Sequence, residues 1–242
     1  MKKTIISCVL FLTAVTAFSQ TPMKTAAEAK LSASDLAVKI ADRILATTTY
    51  EFKNTKTGKT YKSVKNLPLD MNVKVACKYN NWHYTNGVTH IALMELADKT
   101  GAKKYDDYVL KNMNFVFNEG NLDFFKKQYD QAMKNEGWYG VRKLSWHMIF
   151  RGKRLDDNGP MGASLIDLQM KHPNNSFLNY INETAEHLNY GEPRLADGTI
   201  ARIWPHENTI WADDAFMAIS FLARMAKMTG DMSYINDAAN QV

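Results

Sequence analysis

Acid–base chemistry in a cleft needs carboxyl groups held near one another. This chain of 242 residues carries two adjacent acidic pairs, Asp156-Asp157 and Asp213-Asp214. An internal repeat gives their spacing a meaning. The stretch Gly87-Val-Thr-His-Ile-Ala-Leu-Met-Glu-Leu-Ala-Asp-Lys-Thr-Gly101 is echoed from Phe216 to Gly230, which ends Ala-Lys-Met-Thr-Gly. Both copies continue for three residues and then place a tyrosine, Tyr105 and Tyr234. A third copy runs from Gly159 through Leu165, Ile166 and Leu168 to His172-Pro173 and Phe177. The offsets are 72 and 57 residues. In this register Tyr84, Asp156 and Asp213 share one position, and Thr85, Asp157 and Asp214 share the next.

Each copy reads as a helical hairpin: an apolar helix, a break, and a second helix that opens on an aromatic. Ala92, Ser164 and Ala218 are small residues that would let neighbouring first helices approach. Hairpins that cannot bury their faces alone must stack in an array or close into a ring. In a ring the equivalent positions would meet at one mouth, and the two acidic pairs would converge there. A second reading stays open, because carboxylates are also favoured at helix starts simply as caps and dipole partners.

The segment from 195 to 208, Leu-Ala-Asp-Gly-Thr-Ile-Ala-Arg-Ile-Trp-Pro-His-Glu-Asn, has a turn signal at Asp197-Gly198. A short hairpin here would deliver Arg202 and His206 beside the Asp213 helix. The planar fork of Arg202 suits a substrate carboxylate, or equally a salt bridge to a neighbouring acid. Residues 118–153 interrupt the repeat with Phe124, Phe125, Trp138, Tyr139 and Trp146 among basic residues. They read as an extra helix, Asp123 to Asn135, followed by a loop. The aromatics could contact sugar rings, but packing is the better account.

Upstream, Ser34 to Thr47 reads as a helix, with Ser34 as cap and Leu36, Ile40, Ile44 and Leu45 on one face. Residues 53–66 read as a loop or an exposed hairpin, and no run of alternating strands follows. The composition, 45% hydrophobic and 23% charged, excludes a disordered chain, a collagen-like fibre and a disulfide scaffold. A net charge of +5 without a basic stripe argues against nucleic acid and suits an anionic small substrate. Lys2-Lys3, the apolar run Ile5 to Val15 and Ala17-Phe18-Ser19 predict a signal peptide over residues 1–19 and a secreted or periplasmic product. Residues 20–242 then form one domain. Cys8 leaves with the signal, and Cys77 reads as structural. No later segment reaches the apolar length of a membrane span. His83, His90, His147 and His187 lack metal-ligand spacing and read as structural.

Three segments carry a family resemblance: Trp82-His-Tyr84-Thr-Asn-Gly87, Leu155-Asp-Asp-Asn-Gly-Pro-Met-Gly162 and Trp211-Ala-Asp-Asp-Ala-Phe-Met217. In order and at hairpin spacing they resemble the unsaturated glucuronyl and rhamnogalacturonyl hydrolases, glycoside hydrolase families 88 and 105, more closely the latter. The resemblance covers about residues 75–242. It implies an all-α fold, an (α/α)6 toroid of six hairpins. This chain holds only the first three and a half, ending inside the helix of Tyr234, so it reads as a truncated record, a fragment or a divergent half-barrel. Such a piece would expose an apolar edge.

The resemblance further implies hydrolysis of a terminal 4,5-unsaturated uronic acid from oligosaccharides made by polysaccharide lyases. A general acid protonates C4 of the enol ether, water adds at C5, and the hemiketal opens. An acid facing a second carboxylate in a partly dry cleft holds its proton nearer neutral pH. No metal or organic cofactor is implied. By position, Asp213 matches the family's acid/base. Asp156, or alternatively Asp157, matches its second acid. Tyr84 matches a sugar-binding aromatic. Trp82, Arg202, His206, Trp211 and Asp214 are the remaining expected substrate contacts. Two other classes stay in view. One is another six-hairpin enzyme such as a polysaccharide lyase, against which the Asp pairs argue. The other is a non-catalytic helical-repeat protein that binds glycans or a protein at the cell envelope.

Overall fold

A computed structural model describes residues 32–152 and 154–242. The expected signal peptide lies outside the described residues. The chain divides into two units between Lys39 and Ile40. Of the first, only residues 32–39 are described, where Ser32 Oγ donates to the Asp35 carboxylate at 2.7 Å. Helix α1 spans Ala33–Thr47, close to the expected bounds.

In the second unit, Phe52–Asn54 (β1), Thr60–Tyr61 (β2) and Val73–Val75 (β3) form an antiparallel sheet in the order β2-β1-β3. The β1–β2 pair is the exposed hairpin expected around residues 53–66. Strand β3 has no sequence forewarning, being only three residues long. Phe52 anchors the sheet: it is fully buried against Phe115, Phe124 and Phe125 at ring distances of 5.8 to 5.9 Å. The helices are α2 (Tyr84–Thr100), α3 (Lys104–Val116), α4 (Glu119–Val141), α5 (Met148–Arg151), α6 (Leu155–Lys171), α7 (Asn175–Tyr190), α8 (Ala212–Thr229) and α9 (Met232–Asn240). The fold is all-α apart from the small sheet, a partial α/α toroid.

Three pairs, α2–α3, α6–α7 and α8–α9, are the hairpins of the repeat, and α6 packs between α2 and α8. The Thr-Gly shared by two copies is their helix stop. Gly101 and Gly230 adopt left-handed φ of 69° and 77°, and their N–H groups bond Ala97 and Ala226 carbonyls. That conformation costs glycine nothing.

Close approach of the first helices depends on glycines more than on the alanines and serine expected. A Cβ on Gly87 would lie 2.3 Å from the Pro160 carbonyl carbon, and one on Gly159 would lie 2.7 Å from Met217 Cβ. Each glycine thus meets the residue one place beyond its repeat equivalent in the next hairpin. Two contacts of the same register make α2, α6 and α8 parallel neighbours with their first turns at one end. Ser164 and Ala218 are fully buried in this seam. Ala92 is exposed and takes no part in it, a correction to its expected role.

The insertion also departs from expectation. Helix α4 runs beyond Asn135 to Val141 across a break at Gly137 (φ 58°, ψ −150°), and the short α5 follows. Phe124, Phe125 and Trp146 are buried, so these aromatics pack, whereas Trp138 and Tyr139 are exposed.

Between α2 and α3 lies a buried pair, His90 and Asn112, with Nε2 and Nδ2 3.4 Å apart and His90 Nδ1 unpartnered. Burial pulls the His90 imidazole from its ordinary 6.5 down to about 4. The folded state therefore holds it neutral, and stability is fully present above 6.5 and lost as pH falls toward 4. A window of that width corresponds to about 3 kcal/mol. Urea titrations from pH 7 to 4 are expected to show that decline, and His90→Gln to flatten it. An unchanged slope in His90→Gln would assign the acid lability to other groups.

Candidate active site

The first turns of α6 and α8 bring their acids together. Arg202, on the 195–208 connection, is the common partner. Its Nε and Nη2 bond both oxygens of Asp214 at 2.5 and 2.7 Å. Nη2 also stands 3.7 Å from Asp213 and 4.0 Å from Asp156. Its guanidinium lies over the Trp211 ring at 3.9 Å, a short cation–π contact. The connection is held by bridges Arg194–Ile200 and Arg202–Thr209, the short hairpin expected at Asp197-Gly198. Thus Asp156 and Asp213 converge at one end of neighbouring helices. The contacts to Asp214 push Arg202 further above its ordinary value.

The two members of each pair differ in environment. Asp156 is partly exposed and the Asp213 side chain half exposed, whereas Asp157 is fully buried and Asp214 nearly so. Asp157 receives both Nε and Nη2 of Arg151. Burial pushes the Asp157 carboxyl up, and Arg151 opposes it. The alternative that Asp157 meets substrate is therefore corrected: it is a buried ion pair, and Asp156 is the member that faces the cleft. Asp214, expected as a substrate contact, lies in the wall of the cavity described below, with both its oxygens held by Arg202. Of the two readings open for Arg202, the structure has the salt bridge.

Trp82 is corrected too. It is fully buried, its ring 4.8 Å from that of Tyr180, and its Nε1 donates to the Asp157 carbonyl at 2.6 Å. It supports α6 and does not face substrate. Tyr84 is exposed at the first turn of α2 and stacks on His83 at 4.5 Å. His83 caps α2 by accepting from Thr85 N at 3.3 Å. Burial lowers its basicity, while Asp156 and Asp157 pull the other way. Trp211 is the residue before α8 and forms the platform under Arg202. His206 sits in an exposed turn, its carbonyl accepting from Thr209, with no described bond to the acids.

A cavity of about 340 Å³ opens beside this cluster, lined among others by Arg154, Asp156, His187, Glu192, Arg202 and Trp204. Glu192 is pushed up by burial and by Asp214, and His187 Nε2 holds it at 3.0 Å. Sequence reasoning missed Arg151, Arg154 and the His187–Glu192 pair. The basic residues directly before Asp156-Asp157 were the available signal for the first two. Among the described residues no group of three or more His, Cys, Asp or Glu side chains is arranged to hold a metal ion. No described helix is long and apolar enough to cross a membrane.

The model of Glycosyl Hydrolase Family 88 matches residues 55–242. The chain belongs to glycosyl hydrolase family 88. A crystal structure of a possible member of the GH105 family, from Klebsiella pneumoniae subsp. pneumoniae MGH 78578, is similar over 88% of this family 88 chain with a TM-score of 0.50. Identity is 13%, so the likeness speaks for the fold alone, and the chain spans 47% of that structure's length. No curated protein matches the sequence.

Proposed function

We propose that this chain carries the acid–base site of an exported glycoside hydrolase that removes a terminal 4,5-unsaturated uronic acid from lyase-generated oligosaccharides. The observation that supports it most is the convergence of Asp156 and Asp213, from the first turns of α6 and α8, on one guanidinium beside an open cavity.

The substrate's C4=C5 bond is an enol ether conjugated to a carboxylate. In this reading Asp213 donates a proton to C4, and the ring oxygen takes up the positive charge that develops at C5. Asp156 orients a water that adds at C5. The hemiketal then opens at its C5–O bond to a ketone, which leaves C1 a hemiacetal; that hemiacetal expels the aglycone as an alcohol and becomes an aldehyde. Asp213 recovers its proton from that water, so the sum is addition of one water. Tyr84 offers an exposed ring face for the sugar. Asp157 and Trp82 act behind this surface, holding Asp156 in place, and Asp214 holds Arg202. Export rests on the leader read over residues 1–19, and the chemical partners are the lyases that form the double bond.

Unsaturated disaccharides from pectin, ulvan and glycosaminoglycan lyase digests absorb in the ultraviolet through C4=C5. Incubation with the protein is expected to abolish that absorbance for at least one of them. Absorbance that persists with all three would overturn the reading.

A further inference from the structure

We propose that Arg154, the residue immediately before α6, is the clamp for the carboxylate of the substrate's terminal ring, the task for which Arg202 was the sequence candidate. The inference rests on the uronide reading of the cleft and assigns its recognition to a different cation.

Two guanidinium groups line the cavity, and their surroundings differ. Arg202 has its Nε–Nη2 edge on both oxygens of Asp214, and its Nη2 is within 4.0 Å of Asp156 and Asp213 as well. A carboxylate arriving there would find the guanidinium edge already taken by Asp214, whose charge repels it at this range, and two further acidic side chains crowding the same cation. Glu192 in the wall is held by His187. Arg154 is exposed, its guanidinium carbon is 6.0 Å from the Trp204 ring, and no carboxylate of the described residues lies within 4.0 Å of it. Among the described residues it is the cavity's one guanidinium without an acidic partner. It also has the fork geometry that matches a carboxylate in two parallel bonds.

Its backbone makes this a built position. The Arg154 carbonyl accepts from Asp157 N at 2.8 Å and Asn158 N at 3.2 Å, so Arg154 is the N-cap residue of α6. The root of the side chain is therefore fixed while its head stays free. Asp156 is two residues along the same turn. Clamp and acid thus belong to one rigid element, which sets the distance between the bound carboxylate and the group beside C4=C5. Trp204 offers the guanidinium a flat face that narrows its range.

The terminal ring is the same whether the lyase acted on glucuronate or galacturonate, because elimination erases the stereocentres at C4 and C5. One probe pair therefore serves: unsaturated digalacturonate and its methyl ester, titrated by calorimetry into the full chain carrying Asp213→Asn. The acid is expected to bind roughly 10- to 100-fold more tightly than the ester, the range of a charge-assisted pair. Arg154→Gln should bind both alike, and Arg154→Lys should keep part of the preference. In turnover, Arg154→Gln should raise KM and leave kcat nearly unchanged, since the carboxylate is bound in ground and transition states equally. Three results would overturn the proposal: no preference for the acid in the parent, a preference that survives Arg154→Gln, or a preference lost only in Arg202→Gln. A preference that depends on Arg154, in a wild-type protein that leaves the ultraviolet absorbance intact, would uphold the clamp and sink the hydrolase reading.

Discussion

Asp213→Asn is expected to slow the loss of C4=C5 absorbance by at least about 10³-fold in kcat, with KM changed only a few-fold. General acid–base catalysis by a placed side chain is worth about 10²- to 10⁴-fold. Asp213 would serve in both directions, giving the proton to C4 and regaining one from water, so its loss falls at the upper part of that range. The carboxamide keeps the shape of the group and cannot donate a comparable proton. The fold should tolerate the change well. The Asp213 side chain is half exposed, and its contact to Arg202, at 3.7 Å, is the longer one beside the bidentate hold of Asp214. What the fold loses is the carboxyl group's place at the α8 N-terminus, worth no more than about 1 kcal/mol. A thermal midpoint near that of wild type together with a collapsed kcat is the expected signature. Asp156→Asn should behave alike in direction. Retained turnover in Asp213→Asn would remove the proton-donor role from this residue.

That contrast between stability and rate separates the members of each pair, which their order in the chain does not. The repeat offsets of 72 and 57 residues disclosed the hairpins, the Thr-Gly stops and the shared register of Asp156 and Asp213. These are legible because they depend on short-range rules: periodicity, a left-handed cap, a helix start. The choice within Asp156-Asp157 depends on Arg151, which reaches Asp157 from a separate helix, α5. The choice within Asp213-Asp214 depends on Arg202, twelve residues away on a hairpin whose bridges only the folded chain has. Trp82 looked like a sugar contact for the same reason. A tryptophan beside a cleft signature and a tryptophan under a helix have the same sequence, and only packing shows its Nε1 turned to the Asp157 carbonyl. Gly87 and Gly159 were visible at matching positions. Their use as close-approach sites becomes clear once Pro160 and Met217 are found against them.

Arg151→Met is expected to destabilise the protein by about 3–5 kcal/mol, the usual effect of removing one partner from a buried ion pair. Asp157 would be left with no solvent exposure and no cation bonded to it. Burial already pushes its carboxyl up and Arg151 is the main opposing influence. Without it the group would take a proton at higher pH, so the damage should ease as pH falls. The site should feel the change as well. The first turn of α6 is held by three bonds from separate elements: Arg151 from α5, the Trp82 indole, and Tyr180 from α7, whose hydroxyl bonds Asn158 at 3.1 Å. Releasing one of them loosens Asp156 and the root of Arg154 together, so kcat and KM should both suffer where Asp213→Asn affects kcat alone. A double replacement, Arg151→Met with Asp157→Leu, removes both charges at similar volume. It is expected to recover most of the lost stability, because the pair's desolvation cost disappears with it. Denaturant midpoints of the two variants across pH decide the matter. If Arg151→Met costs less than 1 kcal/mol, Asp157 is not held as a buried carboxylate, and its exclusion from the cleft chemistry falls with it.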